Sequence, residues 1–189
     1  LIIAPTRELA EQIHEATQSL GHHTKRRSTP IYGGVSMNLQ IQKLRSGVEI
    51  VVACPGRLLD LAGERSLDLS RVEVLVLDES DHMCDMGFLP DIRRILKLLP
   101  ARRQTLFFSA TMPDEIRGLA DSILRDPVTV QIGVIAPPKS ISHALYPVSS
   151  GLKKALLLAM LERRASGRAL IFTRTKHRAR SLARDLDKQ

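Results

Sequence analysis

The sequence predicts an α/β protein in which a parallel sheet is flanked by helices, and three observations support this fold class. Short apolar runs alternate with segments whose apolar residues recur every three or four positions. Hydrophobic residues make up 43% and charged residues 25% of the 189 positions, as in ordinary globular proteins. No apolar run approaches the roughly 20 residues that a membrane-spanning helix needs.

Each apolar run that is bounded by turn residues predicts a strand of the sheet. In the first 132 residues the predicted strands lie at 1–4, 28–32, 49–53, 72–77, 105–108 and 128–132. The segments between them carry helical stripes of apolar residues, such as Leu9, Ile13, Ala16 and Leu20 in the first and Ile116, Leu119, Ala120 and Ile123 in the last. The alternation is typical of a parallel sheet with crossover helices.

A run rich in Gly and Pro follows the sixth predicted strand and indicates a domain boundary. We expect a first domain at 1–133, a linker at 134–140 and a second α/β domain at 141–189. In the second domain, strands are predicted at 143–148 and 169–173, and helices at 152–164 and from Lys176 onward. Both chain ends fall inside predicted elements, so we expect a fragment of a longer protein.

The charge distribution favours a polyanionic partner. The net charge is +8, but residues 1–137 are close to neutral at −1 and residues 138–189 carry +9. Aromatic residues are scarce at 3%, which favours phosphate contacts over base stacking. Cys54 and Cys84 have the spacing of neither a disulfide framework nor a zinc site, so a reducing cytoplasm is the expected location.

Three carboxylates end the most apolar predicted strand. Asp78, Glu79 and Asp81, with Ser80 between them, follow the run at 72–77 directly. Ligands bind at the carboxyl edge of parallel sheets, where an Asp can hold Mg²⁺ on nucleotide phosphates and a Glu can activate water. The alternative is a solvated turn that caps the next helix.

Five segments together indicate a family. Pro5-Thr6-Arg7-Glu8-Leu9, Gly33-Gly34, Pro55-Gly56-Arg57, Asp78-Glu79-Ser80-Asp81 and Ser109-Ala110-Thr111 resemble, in order and spacing, the motifs of DEAD-box RNA helicases. The segment at 170–175 resembles the motif that opens the second helicase domain. The resemblance is greatest to the bacterial RhlE-like group.

This resemblance implies a first RecA-like domain without its phosphate-loop strand and the start of a second RecA-like domain. It implies ATP with Mg²⁺ on Asp78, activation of water by Glu79, and coupling of hydrolysis to RNA through Asp81, Ser109, Ala110 and Thr111. The segments expected to contact the RNA backbone contain Pro5, Thr6, Arg7, Glu8, Gly33, Gly34, Pro55, Gly56, Arg57, Thr173 and Arg174.

Three of the RNA-contact segments also have a plainer interpretation. Thr6 and Glu8 could simply begin a helix, the Gly33-Gly34 pair could form a tight turn, and Arg174 could be solvated. The His22-His23-Thr24-Lys25-Arg26-Arg27 run is interpreted as a solvated basic loop. Two positions depart from the family: Cys54 stands where Thr is usual, and Ser80 where Ala is usual.

The expected function is an ATP-dependent RNA helicase that unwinds or remodels short duplexes. No G-x-x-x-x-G-K-[ST] motif occurs in the chain, so we expect the chain alone to be inactive. The alternatives are an ATP-dependent RNA clamp without unwinding and, less favoured, a DNA helicase. We expect no membrane partner, and the sequence does not identify ribosome-assembly or RNA-decay partners.

Overall fold

The computed structural model describes residues 1–132, 142–163 and 167–187. The chain divides into two units, Leu1–Val130 and Gln131–Gln189. The segment expected as a linker, 134–140, lies outside the described residues.

The first unit is built on a parallel sheet of five strands. In chain order they are β1 (Ile2–Ile3), β2 (Ser28–Ile31), β3 (Ile50–Ala53), β4 (Val74–Leu77) and β5 (Gln104–Phe107), arranged in space as β2-β3-β1-β4-β5. The central strand β1 pairs Ile2 with Val52 on one side and with Val76 on the other. The five-stranded parallel sheet confirms the predicted fold class.

Helices connect the strands. They are α1 (Arg7–Leu20), α2 (Met37–Arg45), α3 (Pro55–Gly63), α4 (Ser80–Asp85), α5 (Leu89–Leu96) and α6 (Asp114–Ile123). In α1 the side chain of Thr6 accepts a hydrogen bond from the Leu9 amide at 3.2 Å, so Thr6 is the N-cap of this helix. Each helix begins close to the carboxyl end of a strand, except that α5 follows α4.

The main core lies between the sheet and α3, α5 and α6. Fully buried aliphatic side chains from both layers form it, among them Ile3, Leu75, Leu77, Leu58, Leu61, Ile92, Ile95 and Ile116. Burial of each such side chain stabilises the fold by about 1.5–3 kcal/mol. A smaller cluster of Ala4, Ala10 and Val52 packs beneath α1. The rigid sheet therefore holds the segments that follow its strands.

The predicted strand at 128–132 is wrong. No strand is found there, and Val128, Val130 and Ile132 are 90%, 78% and 92% exposed. The apolar alternation is present, but the structure pairs this segment with no neighbour among the described residues. A β-strand requires a partner for its backbone hydrogen bonds, so strand propensity alone produces no strand here.

The two strands predicted in the second unit are wrong for the same reason. The described parts of 143–148 and 169–173 contain no strand, and Leu145 and Phe172 are 93% and 88% exposed. Two predicted helices are confirmed as α7 (Lys153–Arg163) and α8 (Lys176–Leu186). Thr175 caps α8 by accepting from the Arg178 amide at 3.2 Å. No helix in the described part of the chain is long and apolar enough to span a membrane.

Candidate functional site

The carboxyl edge of the sheet gathers the sequence-predicted segments of the first unit. All five strands are parallel, so the residues that follow them lie along one edge. These segments are 5–8 after β1, 33–34 after β2, 54–57 after β3, 78–81 after β4 and 108–111 after β5. We call this set the carboxyl edge.

Asp78 and Glu79 occupy the turn between β4 and α4. The Asp78 amide donates to the Ile3 carbonyl at 3.0 Å. The Asp78 side chain accepts, through Oδ1, a hydrogen bond from the Glu79 amide at 2.9 Å. Glu79 has a φ of 47°, a left-handed conformation that is uncommon outside glycine. Such backbone strain is concentrated at functional sites. The Glu79 side chain is about half exposed, at 51%.

His82 contacts the Glu79 carboxylate, a contact that the sequence did not indicate. Its Nδ1 lies 3.1 Å from Glu79 Oε2, one helical turn along α4. The i, i+3 spacing was the only available signal, because residues three apart share a helix face. His82 therefore helps to fix where the Glu79 carboxylate lies.

Asp81 joins the ends of β4 and β5. Its Oδ2 accepts from the Thr111 hydroxyl at 2.7 Å and from the Thr111 amide at 2.9 Å. The Asp81 amide donates to Ser109 Oγ at 3.2 Å, and the Ser109 hydroxyl donates to the Thr111 carbonyl at 2.7 Å. Ala110 lies between these two residues and is exposed. The structure thus brings together the Asp78-Glu79-Ser80-Asp81 segment, which we call the acidic tetrad, and the Ser-Ala-Thr segment at 109–111.

These contacts perturb the Asp81 carboxyl. Desolvation acts to raise its pKa, but the hydrogen bonds from Thr111 outweigh desolvation, and the pKa falls to about 2. Asp81 is therefore ionised at neutral pH. An ionised carboxylate accepts both hydrogen bonds, which holds the two loops together.

Ser80 is buried completely, beneath the carboxylates. Its amide donates to the Phe108 carbonyl at 3.0 Å, a second link between β4 and β5. Its Oγ is buried and has no hydrogen-bond partner among the described residues. The hydroxyl that distinguishes Ser80 from the Ala usual in DEAD-box helicases thus contributes no hydrogen bond to this link within the described residues.

Arg7 and the glycine pair meet on the β1 and β2 side of the edge. The Arg7 guanidinium lies 5.9 Å from the centroid of the Tyr32 ring and 3.6 Å from the Glu8 carboxylate. Gly34 has a φ of 83°, and a Cβ there would lie 3.9 Å from Arg7 Nη1. A residue with a side chain would be strained at this turn. Tyr32, which the sequence analysis missed, belongs to this group.

Arg57 is held within the protein. Its Nη1 donates to the Val35 carbonyl at 3.0 Å, and its Nε lies 3.6 Å from Asp60 Oδ2. The side chain is only 15% exposed. Arg57 therefore fixes the loop after the glycine pair to the start of α3, where Pro55 and Gly56 form the first turn.

Cys54 occupies the N-cap of α3 without a side-chain capping bond. Burial, with the nearby Glu8 charge, raises the pKa of its thiol to about 11. A neutral thiol is a weak hydrogen-bond donor, so this position offers little to a phosphate group.

Thr173 and Arg174 lie in the second unit, ahead of α8. The Thr173 hydroxyl donates to the Thr175 carbonyl at 2.9 Å, and both residues are described within that unit only.

The oxygen donors at this edge suit Mg²⁺ in one particular way. Within the described residues, no three His, Cys, Asp or Glu side chains are arranged to hold a metal ion. Mg²⁺ commonly binds through one or two carboxylates and completes its shell with water and substrate phosphates. Asp78, at the tip of β4, fits that limited role.

A parallel sheet whose carboxyl edge joins an acidic tetrad to a Ser-Ala-Thr segment defines a RecA-like helicase domain. Residues 1–119 match the family model described as DEAD/DEAH box helicase. The chain belongs to this family.

Curated relatives agree along almost the whole chain. The RNA helicase CrhR of Synechocystis is 43% identical over 96% of this chain, and the ATP-dependent RNA helicase CshA of Listeria monocytogenes is 43% identical over 99%. The chain spans only 37% and 36% of these two relatives. A crystal structure of a hypothetical ATP-dependent RNA helicase from Sulfolobus tokodaii aligns with a TM-score of 0.64 and 39% identity, covering 66% of this chain and 38% of that one.

Proposed function

We propose that this chain is part of an ATP-dependent RNA helicase that couples ATP hydrolysis to local unwinding or remodelling of RNA duplexes. The observation that carries the proposal is the Asp81–Thr111 contact, which links the acidic tetrad to the end of β5. The first-unit segments proposed to contact RNA lie on the same edge of the same sheet. Events at the tetrad can thus be transmitted along one edge.

The nucleotide chemistry is assigned to Asp78 and Glu79. Asp78 would hold Mg²⁺, which when bound neutralises charge on the ATP phosphates. Glu79 would orient and deprotonate the attacking water, and its left-handed backbone presents a half-exposed carboxylate for this role. Asp81 is already engaged by Thr111, so it serves coupling rather than proton transfer.

The RNA contacts are assigned to the sugar-phosphate backbone. The exposed guanidinium of Arg7 and the first amides of α1, behind the Thr6 cap, can meet a phosphate group. Gly33 and Gly34 allow close backbone approach, and Arg57 positions their loop. In the second unit, Thr173 and Arg174 would supply further backbone contacts.

The domain assignments follow from this function. We assign 1–133 to the ATP-binding helicase domain and 141–189 to the start of the C-terminal helicase domain, joined by 134–140. A phosphate-cradling loop would have to come from outside this chain, so the chain alone is expected to hydrolyse no ATP. We place the protein in the cytoplasm.

The test is Glu79→Gln in the longer helicase that contains this chain. Steady-state ATP turnover should fall at least about a hundredfold, because removal of a general base typically costs 10²–10⁴ in rate. Binding of a fluorescent ATP analogue should be retained. Asp121→Asn, at an exposed position on α6, is the matched control and should behave as wild type. Unchanged turnover would remove Glu79 from the mechanism.

An RNA clamp without unwinding is the second candidate: the same segments would bind ATP and RNA without separating strands, and one of them departs from the family at Cys54, which makes no side-chain capping bond in the described structure. Release of a labelled strand from a short RNA duplex distinguishes the two functions. ATP-dependent release supports the helicase, whereas ATP-dependent binding without release supports the clamp. The same assay with DNA strands tests for a DNA helicase.

A further inference from the structure

The longest stretch without acidic residues in the first unit surrounds the edge strand β2. Residues 16–48 contain no Asp or Glu but carry five Lys or Arg residues and two His residues. The other residues up to 137 are net negative, at −6. This region therefore carries a net positive charge, whereas the rest of the first unit is net negative.

A groove runs along the open edge of β2, between α1 and α2. One part, of about 600 Å³, is lined by residues that include Tyr32, Val35 and Leu39. The other part, of about 470 Å³, is lined by residues that include Arg26 and Arg27. The two parts share four lining residues and so adjoin, namely His14, Pro30, Lys43 and Ser46. We call the whole feature the β2 groove.

The β2 groove begins at the carboxyl edge. Tyr32, on its wall, carries the Arg7 guanidinium over its ring, and the carbonyl of Val35 accepts from Arg57. The groove then follows the four residues of β2, about 13 Å, toward the amino end of the strand. It therefore connects the segments proposed to bind RNA with the edge of the sheet at which the amino ends of the strands lie.

The far end of the groove is basic. His22, Arg26, Arg27 and Lys43 line it, and all four are exposed. One acidic side chain lines the groove: Glu11, which accepts from the Tyr32 hydroxyl. Glu49, outside the lining, accepts from the amide of the lining residue Arg27 at 2.8 Å. The cationic side chains outnumber these acids.

The walls of the groove favour a polyanion over a peptide. The backbone carbonyls of Arg27 and Ile31 accept hydrogen bonds from β3 and the residue that follows it. Because backbone groups alternate in direction along a strand, the backbone groups of Ser28 and Pro30 point away from β3, toward the open edge. Pro30 has no amide hydrogen, which disfavours the pairing of an added strand. The wall also contains polar groups, including the buried hydroxyl of Thr29, which has no hydrogen-bond partner among the described residues.

We propose that the β2 groove is a second RNA-backbone site, along which an RNA strand continues from the carboxyl edge to the cations at Arg26, Arg27 and Lys43. This inference rests on the proposed RNA-binding function and extends it. The site contacts phosphates and reads no base sequence. Its contribution appears only with RNA long enough to pass beyond the carboxyl edge.

The experiment compares two lengths of fluorescein-labelled oligouridylate, of about 5 and about 15 nucleotides, binding to the full-length helicase. The triple variant Arg26→Ala, Arg27→Ala, Lys43→Ala should bind the longer RNA at least about fivefold more weakly and the shorter RNA as wild type does. For the longer RNA, a plot of the logarithm of the binding constant against the logarithm of salt concentration should become less steep by about 2. Each lost phosphate contact with a single strand contributes about 0.7 to this slope.

A matched variant removes three exposed cations elsewhere in the first unit: Arg93→Ala, Lys97→Ala, Arg117→Ala. It should leave both affinities unchanged. If the triple variant does not fold, Arg26→Gln with Lys43→Gln replaces it, since this pair leaves Arg27 in its place beside Gly47. Equal loss at both RNA lengths, no loss at either, or the same loss in the matched variant would overturn the proposal.

Arg7→Ala separates this inference from the function on which it rests. That variant should weaken binding of the shorter RNA. If Arg7→Ala has no effect but the triple variant weakens binding of the longer RNA, the groove proposal is supported and the assignment of Arg7 is wrong. If Arg7→Ala weakens binding of the shorter RNA and the triple variant has no effect, the RNA site at the carboxyl edge is supported and the groove proposal is wrong.

Discussion

The hydroxyl of Ser80 is expected to lower the stability of the fold. Its hydroxyl is buried, and no hydrogen bond within the described residues compensates for its loss of water. Ser80→Ala should therefore raise the free energy of unfolding, by about 1 kcal/mol. Urea denaturation measures this change. Ser122→Ala is the control with the opposite expectation, since the Ser122 hydroxyl donates to the Leu119 carbonyl.

Lower stability of Ser80→Ala would mean that the hydroxyl has a partner within the fold. The sequence identified Ser80 as a departure from the family pattern. It could not show whether the hydroxyl is satisfied, because that depends on how the ends of β4 and β5 pack together.

Asp81 makes stability depend on pH. Its pKa is about 2 in the folded protein, below its ordinary value of 3.8, so its contribution is complete above pH 4 and is lost as the pH falls toward 2. The residue is only partly buried, so solvent screens the interaction and we expect a contribution of only about 1 kcal/mol. Urea unfolding at a series of pH values measures it.

The control for Asp81 is Asp81→Asn, which cannot titrate at this position. Its unfolding free energy should fall less steeply than that of wild type between pH 4 and pH 2. Parallel curves for the two proteins would show that the Asp81–Thr111 contact does not stabilise the fold.

At the residue scale, the family resemblance identified the acidic tetrad and the Ser-Ala-Thr segment. It did not predict the His82 contact with Glu79 or the engagement of Arg57 by Val35 and Asp60. Both depend on side-chain orientations that the motif spacing leaves undetermined. The positive φ of Glu79 was equally hidden, since nothing in a Glu residue indicates it.

At the scale of elements, the starts of α1 and α3 form a natural comparison. Thr6 caps α1 with its side chain, whereas Cys54 holds the extended conformation of an N-cap but makes no capping bond within the described structure. Cys54→Thr should therefore stabilise the protein by about 0.5–1 kcal/mol, and Thr6→Ala should destabilise it by about 1 kcal/mol.

Thermal unfolding of the two capping variants beside wild type checks both signs. If Cys54→Thr unfolds at a lower temperature, the partly buried site of the thiol cannot accept the hydroxyl. If Thr6→Ala unfolds at the same temperature as wild type, the Thr6 cap does not stabilise α1.

The helices and the five paired strands of the sheet were predicted well, whereas three further predicted strands are not present in the structure. Apolar periodicity placed α1, α6 and α7 within a few residues of their observed bounds. The strands at 128–132, 143–148 and 169–173 were wrong because a strand depends on a neighbouring strand, which local sequence does not encode.

At the scale of the whole molecule, exposed apolar side chains predict self-association. Val128, Val130, Ile132, Leu145, Leu170 and Phe172 are each at least 78% exposed. Soluble monomers seldom expose so many large apolar groups. The 189-residue chain should therefore associate as its concentration rises, which sedimentation velocity measures.

Val128→Lys with Val130→Lys should reduce this association, because the added charges oppose apolar contact. Leu20→Lys, at an exposed apolar position on α1, is the control and should change it less. A chain that stays monomeric at high concentration would contradict the prediction.

The central claim is that the carboxyl edge couples ATP hydrolysis to RNA. Its most direct test is steady-state ATP hydrolysis by the full-length helicase with and without single-stranded RNA, with DNA of the same sequence as a control. We predict strong stimulation by RNA, little by DNA, and loss of the stimulated rate in Asp81→Asn, which weakens the link between the tetrad and Thr111. An ATPase rate that is the same with and without RNA would contradict the claim.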